Sequence, residues 1–246
     1  MPGLDWLIAR PVAHRGLHDA SAGVIENTAS AVSAAVAAGY GVEVDLQITR
    51  DGEAMVHHDA TLGRLNEGDG RLDRMDAAEL AAIPFRGSSD RMMTLAHLLD
   101  LVAGKAALFL ELKSRFDRDR RLPDRVADVL RSYAGPVAVM SFDPCQMEAL
   151  QEVAPGLPRG IAAQRRYRGE DKPGVSGRDK LGYVLHGLRS RPHFIAYHVS
   201  DLPAAVPLVA RYLLGLPLLT WTVRSPADRR RAERWADQMI FEGFRP

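Results

Sequence analysis

One cysteine, Cys145, is all the sequence has. That excludes an internal disulfide framework and any metal site built from several thiolates. It also fits a reducing compartment. Charge of either sign is not in excess: 32 Lys and Arg stand against 31 Asp and Glu, a formal net charge of +1. No global field therefore points to nucleic acid or to a membrane surface. Long hydrophobic runs are missing too. No stretch reaches the roughly 18 apolar residues of a membrane span. The opening residues, MPGLDWLIARPVAHRG, lack a basic region followed by a long apolar run, so no secretory signal is expected there. The expectation is a cytoplasmic, soluble protein with no nucleic-acid partner and no stable membrane insertion. No internal repeat and no low-complexity linker divides the chain, and no glycine-rich phosphate loop follows the first strand-like run.

What is there is a chain of 246 residues, 46% of them hydrophobic. That suits one large domain, and the reading is a single domain over 1–246. Short apolar runs recur at 10–16, 41–47, 53–59, 107–113, 136–142, 158–163, 194–200, 217–223 and 238–243. Helical patterns lie between most of them. Residues 27–38 form an alanine-rich helix capped by Asn27 or Thr28. Another helix starts at Thr94 and stops at Gly104, and a third carries Val126, Val129, Leu130 and Tyr133 at helical spacing. The junctions SFDPCQ, VSDLPAA and TVRSPAD each run from a strand, through Asp or Ser, to Pro and a helix. Ser225 and Asp228 have the spacing of a capping box, with Asp in place of Glu.

Strands alternating with helices imply a parallel sheet. Nine runs are one too many for an eight-stranded (β/α) barrel. Asp51-Gly52 in the short connection from 41–47 to 53–59 is a hairpin signal, which makes 53–59 an antiparallel return strand. The expected architecture is therefore a (β/α)8 TIM barrel with a small insertion, 60–93, after a hairpin that follows strand 2. A short helix near 76–82 falls inside that insertion. Residues 164–180 read as a mobile basic loop.

Polar residues gather at the C-terminal ends of the strand-like runs: His14 and Arg15, Glu43 and Asp45, Glu111 and Lys113, Ser141, His198, Trp221, Glu242. In a (β/α) barrel those ends form the face where active sites lie. Glu43 and Asp45 are two apart, so both point to one side of a strand. With Glu111 they bring three carboxylates to one mouth, and that concentration of like charge calls for a cation. All-oxygen ligands suit Mg²⁺ or Ca²⁺ better than Zn²⁺. His14, His57 and His58 can move protons near neutral pH. Arg15 and Lys113 can grip a phosphate. Together these groups suit phosphoryl chemistry.

AHRG at 13–16, ENT at 26–28, EVDLQITRDGEAMVHHD at 43–59, ELK at 111–113, SFDP at 141–144 and WTV at 221–223 resemble, in order and spacing, the glycerophosphodiester phosphodiesterases. The resemblance covers essentially the whole chain. It implies a barrel like that of phosphatidylinositol-specific phospholipase C and a water-soluble glycerophosphodiester as substrate. It implies one divalent cation held by Glu43, Asp45 and Glu111. It implies His14 and His58 as the acid/base pair, Arg15, Lys113 and Trp221 against the substrate, and Glu26 and Asn27 as supporting neighbours. His58, not His57, matches the family's HD, so His57 is expected to face away. Two departures stand out: IFEGF at 240–244, where the family often has ITD, and WTVR at 221–224, where WTVN is commoner. Glu242 is left open between stand-in and structural residue. A barrel acting on lysophospholipids or sphingolipid-like diesters, and a non-catalytic phosphate-binding barrel, are the rival readings.

The remaining candidates read plainly. Cys145 is a packed thiol, His97 a surface residue on a helix, and His18 a loop-ordering residue. His198 is weighed as a rim contact. His186 and His193 carry no signal. The arginine-rich runs 115–125 and 164–191 read as solvated loops.

Overall fold

The computed structural model describes residues 3–165 and 189–246. Its described strands are β1 (Val12–Ala13), β2 (Gly41–Ile48), β3 (Ala54–Val56), β4 (Leu108–Leu112), β5 (Val137–Ser141), β6 (Arg159–Ala163), β7 (Phe194–His198), β8 (Leu218–Val223) and β9 (Gln238–Phe241). The described helices are α1 (Ala29–Ala37), α2 (Ala77–Ala82), α3 (Leu95–Val102), α4 (Arg121–Leu130), α5 (Pro144–Val153), α6 (Ala205–Tyr212) and α7 (Pro226–Trp235). The sheet runs β1-β9-β8-β7-β6-β5-β4-β2-β3, and β1 also pairs with β2. That second pairing closes the ring. Every ring pair is parallel, and β3 alone is antiparallel, hanging on the end of β2 through Leu46–Val56 and Ile48–Ala54. The eight-stranded parallel barrel with helices between its strands is therefore the observed fold, and β3 lies outside the ring.

The two-residue period of the strands explains both the core and the site. In β2, Val42, Val44 and Leu46 face outward into the layer between barrel and helices, with Leu98, Val102 and Val126 among their company. The alternate residues face the barrel axis. The lower interior is apolar: Val12, Phe109, Ala138, Met140, Phe194, Ala196, Leu219 and Ile240, with Leu7 from the N-terminal turn beneath. Two residues further along each strand, on the same face, come His14, Glu111, Phe142, His198, Trp221 and Glu242. One apolar layer thus supports one functional layer, and sequence spacing fixes which residue is in which.

Three local expectations differ from what the chain does. β3 has three residues, not the seven of 53–59, because beyond Val56 the chain turns away to bind the insertion. The Asp51-Gly52 connection is five residues long. Thr49 organises it, its hydroxyl donating to Asp51 Oδ1 at 2.5 Å and accepting from Glu53 N–H at 2.7 Å. At VSDLPAA the helix begins at Ala205, two residues past Pro203, after a 3₁₀ turn over Val199–Asp201. The Ser225–Asp228 pair caps α7 differently from a capping box. Asp228 N–H donates to Ser225 Oγ at 3.1 Å, but the shorter Asp side chain takes the Ser225 hydroxyl at 2.7 Å and the Arg224 N–H at 3.4 Å.

The insertion has its own apolar centre, where Leu62, Leu72, Leu80, Phe85 and Met92 pack on Ile25 and Met55. Of 164–180, all but the first two residues lie outside the described residues, as does His186. No described helix is long and apolar enough to cross a membrane.

Candidate active site

Asp45 and Glu111 are register partners on β2 and β4, and Glu43 lies one step lower on β2, opposite Phe109. Parallel pairing of two strands therefore delivers three carboxylates to one point. One oxygen from each of Glu43, Asp45 and Glu111 lies within 4.8 Å of the others, and all three residues are buried. Burial, then the charges of Asp45 and Glu111, push the Glu43 carboxyl well above its ordinary range. Burial also raises Glu111, against the pull of Lys113. At Asp45 burial is overcome by Lys113 and Arg15, which hold its carboxyl well below the usual range.

Lys113 continues β4 on the same face. Its Nζ donates to Glu111 Oε1 at 2.5 Å and lies 2.9 Å from Asp45 Oδ1. Arg15 enters from the turn after β1, in a left-handed conformation at φ 56°. Its backbone N–H donates to Glu43 Oε2 at 3.0 Å, its Nη1 to Glu26 Oε1 at 2.7 Å, and its Nε lies 3.2 Å from Asp45 Oδ2. Asn27, also left-handed, clamps Asp45 from both sides. Its Nδ2 donates to Asp45 Oδ2 at 2.9 Å and its Oδ1 accepts from Asp45 N–H at 3.2 Å. The helix cap itself falls to Thr28.

Two buried atoms lack hydrogen-bond partners at the centre. Glu43 Oε1 is an acceptor without a donor, and Arg15 Nε, though 3.2 Å from Asp45 Oδ2, makes no aligned hydrogen bond. An orphaned acceptor among three carboxylates fits a cation, and a misaligned guanidinium N–H near the same cluster leaves a donor for an anion. The donor set is all oxygen, which suits a hard divalent ion. The residues present thus fit the group that their chemistry implies.

His14 and His58 reach this centre from different elements. His14 Nδ1 bonds Glu242 Oε2 at 2.7 Å, leaving Nε2 turned toward Glu43, 3.9 Å from Oε2. Burial lowers the His14 pKa, with Glu242 opposing. His58, just beyond β3, has Nδ1 2.7 Å from Asp59 Oδ1, and it borders a cavity with Lys113. Gln47 Nε2 donates to the His58 carbonyl at 2.8 Å and ties that segment to β2. His57 faces the insertion. It is buried, bonds the Asp59 carbonyl and Asn66 Oδ1, and stacks on Phe85.

Trp221 stands edge-on to His198 and Phe142, with centroids 4.8 and 5.3 Å apart, and its buried Nε1 lacks a partner. His18 Nε2 lies 4.0 Å from Glu242. His97 is exposed on α3, and His193 Nδ1 accepts from Arg159 N–H at the far end of the barrel. Burial raises the Cys145 thiol, which argues against a nucleophile.

Sequence reading missed one connection. Asp59 Oδ2 accepts from Arg64 Nε at 2.6 Å, and Arg64 Nη2 donates to Glu26 Oε1 at 2.7 Å. A continuous ion chain thus runs from His58 through Asp59, Arg64 and Glu26 to Arg15. Arg64 lies in the insertion five residues after Asp59, at a spacing that signals nothing by itself. Glu242, left open above, proves to orient His14 and to accept from Arg224 Nη2 at 2.9 Å.

Similarity to known proteins agrees with this geometry. The family model described as glycerophosphoryl diester phosphodiesterase family matches residues 14–243. A glycerophosphodiester phosphodiesterase of Caldanaerobacter subterraneus is 29% identical over 230 residues, covering 89% of this chain and 88% of that one. Two solved structures share the fold. One is a phosphodiesterase of Oleispira antarctica, solved with the product sn-glycerol-3-phosphate, at TM-score 0.77 and 20% identity, covering 96% of this chain and 93% of that one. The other is the glycerophosphodiester phosphodiesterase of Thermotoga maritima, at TM-score 0.72 and 23% identity, covering 94% of each chain. With the match spanning nearly all of the chain, from His14 past Glu242, the chain belongs to the glycerophosphoryl diester phosphodiesterase family of enzymes.

Proposed function

We propose that the chain hydrolyses glycerophosphodiesters to glycerol 3-phosphate and an alcohol, in the cytoplasm, with one divalent cation, Mg²⁺ or Ca²⁺, held by Glu43, Asp45 and Glu111. The observation that carries the reading is the buried cluster of three carboxylates, in which Glu43 Oε1 lacks a hydrogen-bond donor. When bound, the cation supplies charge stabilisation to the phosphate oxygens. The chain supplies the rest. Arg15, fixed by Glu26, and Lys113, fixed by Glu111, hold the phosphate. His14 and His58 serve as the acid/base pair. One takes the proton of the attacking hydroxyl, either the glycerol 2-hydroxyl or water, and the other protonates the departing alcohol oxygen; where the 2-hydroxyl attacks, water then opens the resulting cyclic phosphate to glycerol 3-phosphate. Glu242 and Asp59 hold the outer nitrogens, so the inner nitrogen of each ring is the one offered to substrate. The Trp221 Nε1 donor suits a glycerol hydroxyl at the mouth.

His14→Ala and His58→Ala are each expected to lower kcat on a glycerophosphodiester by about 100-fold or more. Near-normal turnover by either variant contradicts the assignment.

A further inference from the structure

A cavity of about 500 Å³ opens beside the catalytic layer, bordered at one end by His58 and Lys113. Its outer wall comes from two places far apart in sequence: the insertion, through Thr61, Arg71 and Asp73, and the loop after β4, through Arg115, Asp117 and Asp119. A group attached to phosphorus on the His58 side would have this space to extend into.

The charges of that wall form a ribbon. Arg71 grips Asp73 through two bonds of 2.9 and 2.7 Å. Arg115 spans from Asp73, at 2.6 Å, to Asp117, at 3.0 Å. Asp119 is taken by Arg121 at 2.7 Å. Every carboxylate of the wall already has its guanidinium. The ribbon therefore presents donors and acceptors in alternation with no unbalanced charge. Gln146, also at the wall, donates to the Asp119 carbonyl at 2.7 Å, and its buried Oε1 has no partner. Ile48, Ala60 and Leu122 supply apolar patches, and among the described residues no Phe, Tyr or Trp lines the cavity.

These features discriminate among headgroups. A quaternary ammonium seeks the faces of Trp, Tyr or Phe, and among the described residues none of these is there. A primary ammonium seeks an unpaired carboxylate, and each is paired. A hydroxyl both donates and accepts, which is what an alternating, balanced ribbon requires. Resting on the phosphodiester reading above, the geometry points to a headgroup subsite that selects a neutral polyol, such as a second glycerol or an inositol, over choline or ethanolamine. Arg115 is its specificity-determining residue, because it alone joins the insertion's Asp73 to Asp117.

The test measures kcat/KM of the metal-loaded enzyme for glycerophosphoglycerol, glycerophosphoinositol, glycerophosphoethanolamine and glycerophosphocholine. The two polyol esters are expected to lead both ammonium esters by about tenfold. Arg115→Ala strips Asp117 of its cation and tips the wall negative. That variant is expected to narrow the polyol-over-ethanolamine ratio by about threefold. Arg115 is half exposed, so the variant is expected to fold. Wild-type enzyme that turns over the choline or ethanolamine ester as well as the polyol esters overturns the subsite and leaves the phosphodiesterase reading standing. An Arg115→Ala effect equal on all four esters does the same. No turnover of any ester overturns both.

Discussion

Arg64 touches none of the three clustered carboxylates, yet it joins the two halves of the site. Through Asp59 it reaches the outer nitrogen of His58, and through Glu26 it reaches the guanidinium of Arg15. Arg64→Ala is expected to lower kcat about 10- to 100-fold, the usual consequence of a misplaced catalytic group. Because Arg64 and Glu26 act in one chain, adding Glu26→Gln to it is expected to cost little more, and a double-mutant cycle reads this directly. The same chain gives a pH signature. Burial alone raises Glu26, but Arg64 and Arg15 bring its pKa down to about 2, against an ordinary value of 4.5. The folded state thus binds fewer protons than the unfolded one between those values. The stability from this network is complete above about pH 4.5 and drains away as the pH falls toward 2. Melting temperatures of wild type and Glu26→Gln at pH 6, 4 and 3 are expected to converge as the pH falls, whereas a constant gap contradicts the linkage.

At the scale of elements, the turn between β1 and α1 shows why the chain has AHRG there. Gly16 has φ of 80°, and a Cβ on it would lie 2.7 Å from the Ala31 backbone carbon. The close approach lets Arg15 lie over Asp45 while Leu17 N–H bonds the Ala31 carbonyl at 2.9 Å. Gly16→Ala is expected to cost about 2 to 4 kcal/mol in urea unfolding, through strain and overpacking together. Much of this level was legible in sequence. The period of two in EVDLQ and FLELK sorts Val44 and Leu110 from Asp45 and Glu111. Thr94 and Thr28 mark the helix starts where they fall. What escaped were features set by distant partners. Pro203 lies ahead of α6 because a 3₁₀ turn, with Ser200 N–H held by His198 Nδ1, takes up the strand's exit. Arg64 and Glu242 show their bonds only once the barrel closes and brings positions 15, 26, 58 and 242 together.

For the whole molecule, the barrel is a device for stacking layers. An apolar lower layer of Phe109, Phe194, Leu219 and Ile240 fixes the height at which the next inward-facing residue, two positions on, emerges from each strand. The upper layer carries an excess of buried acid that the chain leaves incompletely matched, Glu43 above all. A protein holding like charges so close gains stability from any cation it binds in the folded state. Saturating Mg²⁺ or Ca²⁺ is therefore expected to raise the melting temperature of wild type and to leave that of Glu43→Gln nearly unchanged. The central claim is that Glu43, Asp45 and Glu111 bind one divalent cation required for phosphodiester hydrolysis. Its most direct test is a calorimetric titration of chelator-treated protein with Mg²⁺ and Ca²⁺, run beside turnover of glycerophosphoglycerol on the same samples. The account predicts a stoichiometry of about one ion per chain, activity restored in step with occupancy, and loss of both in Glu43→Gln. Full turnover by chelated protein that binds no ion would contradict it.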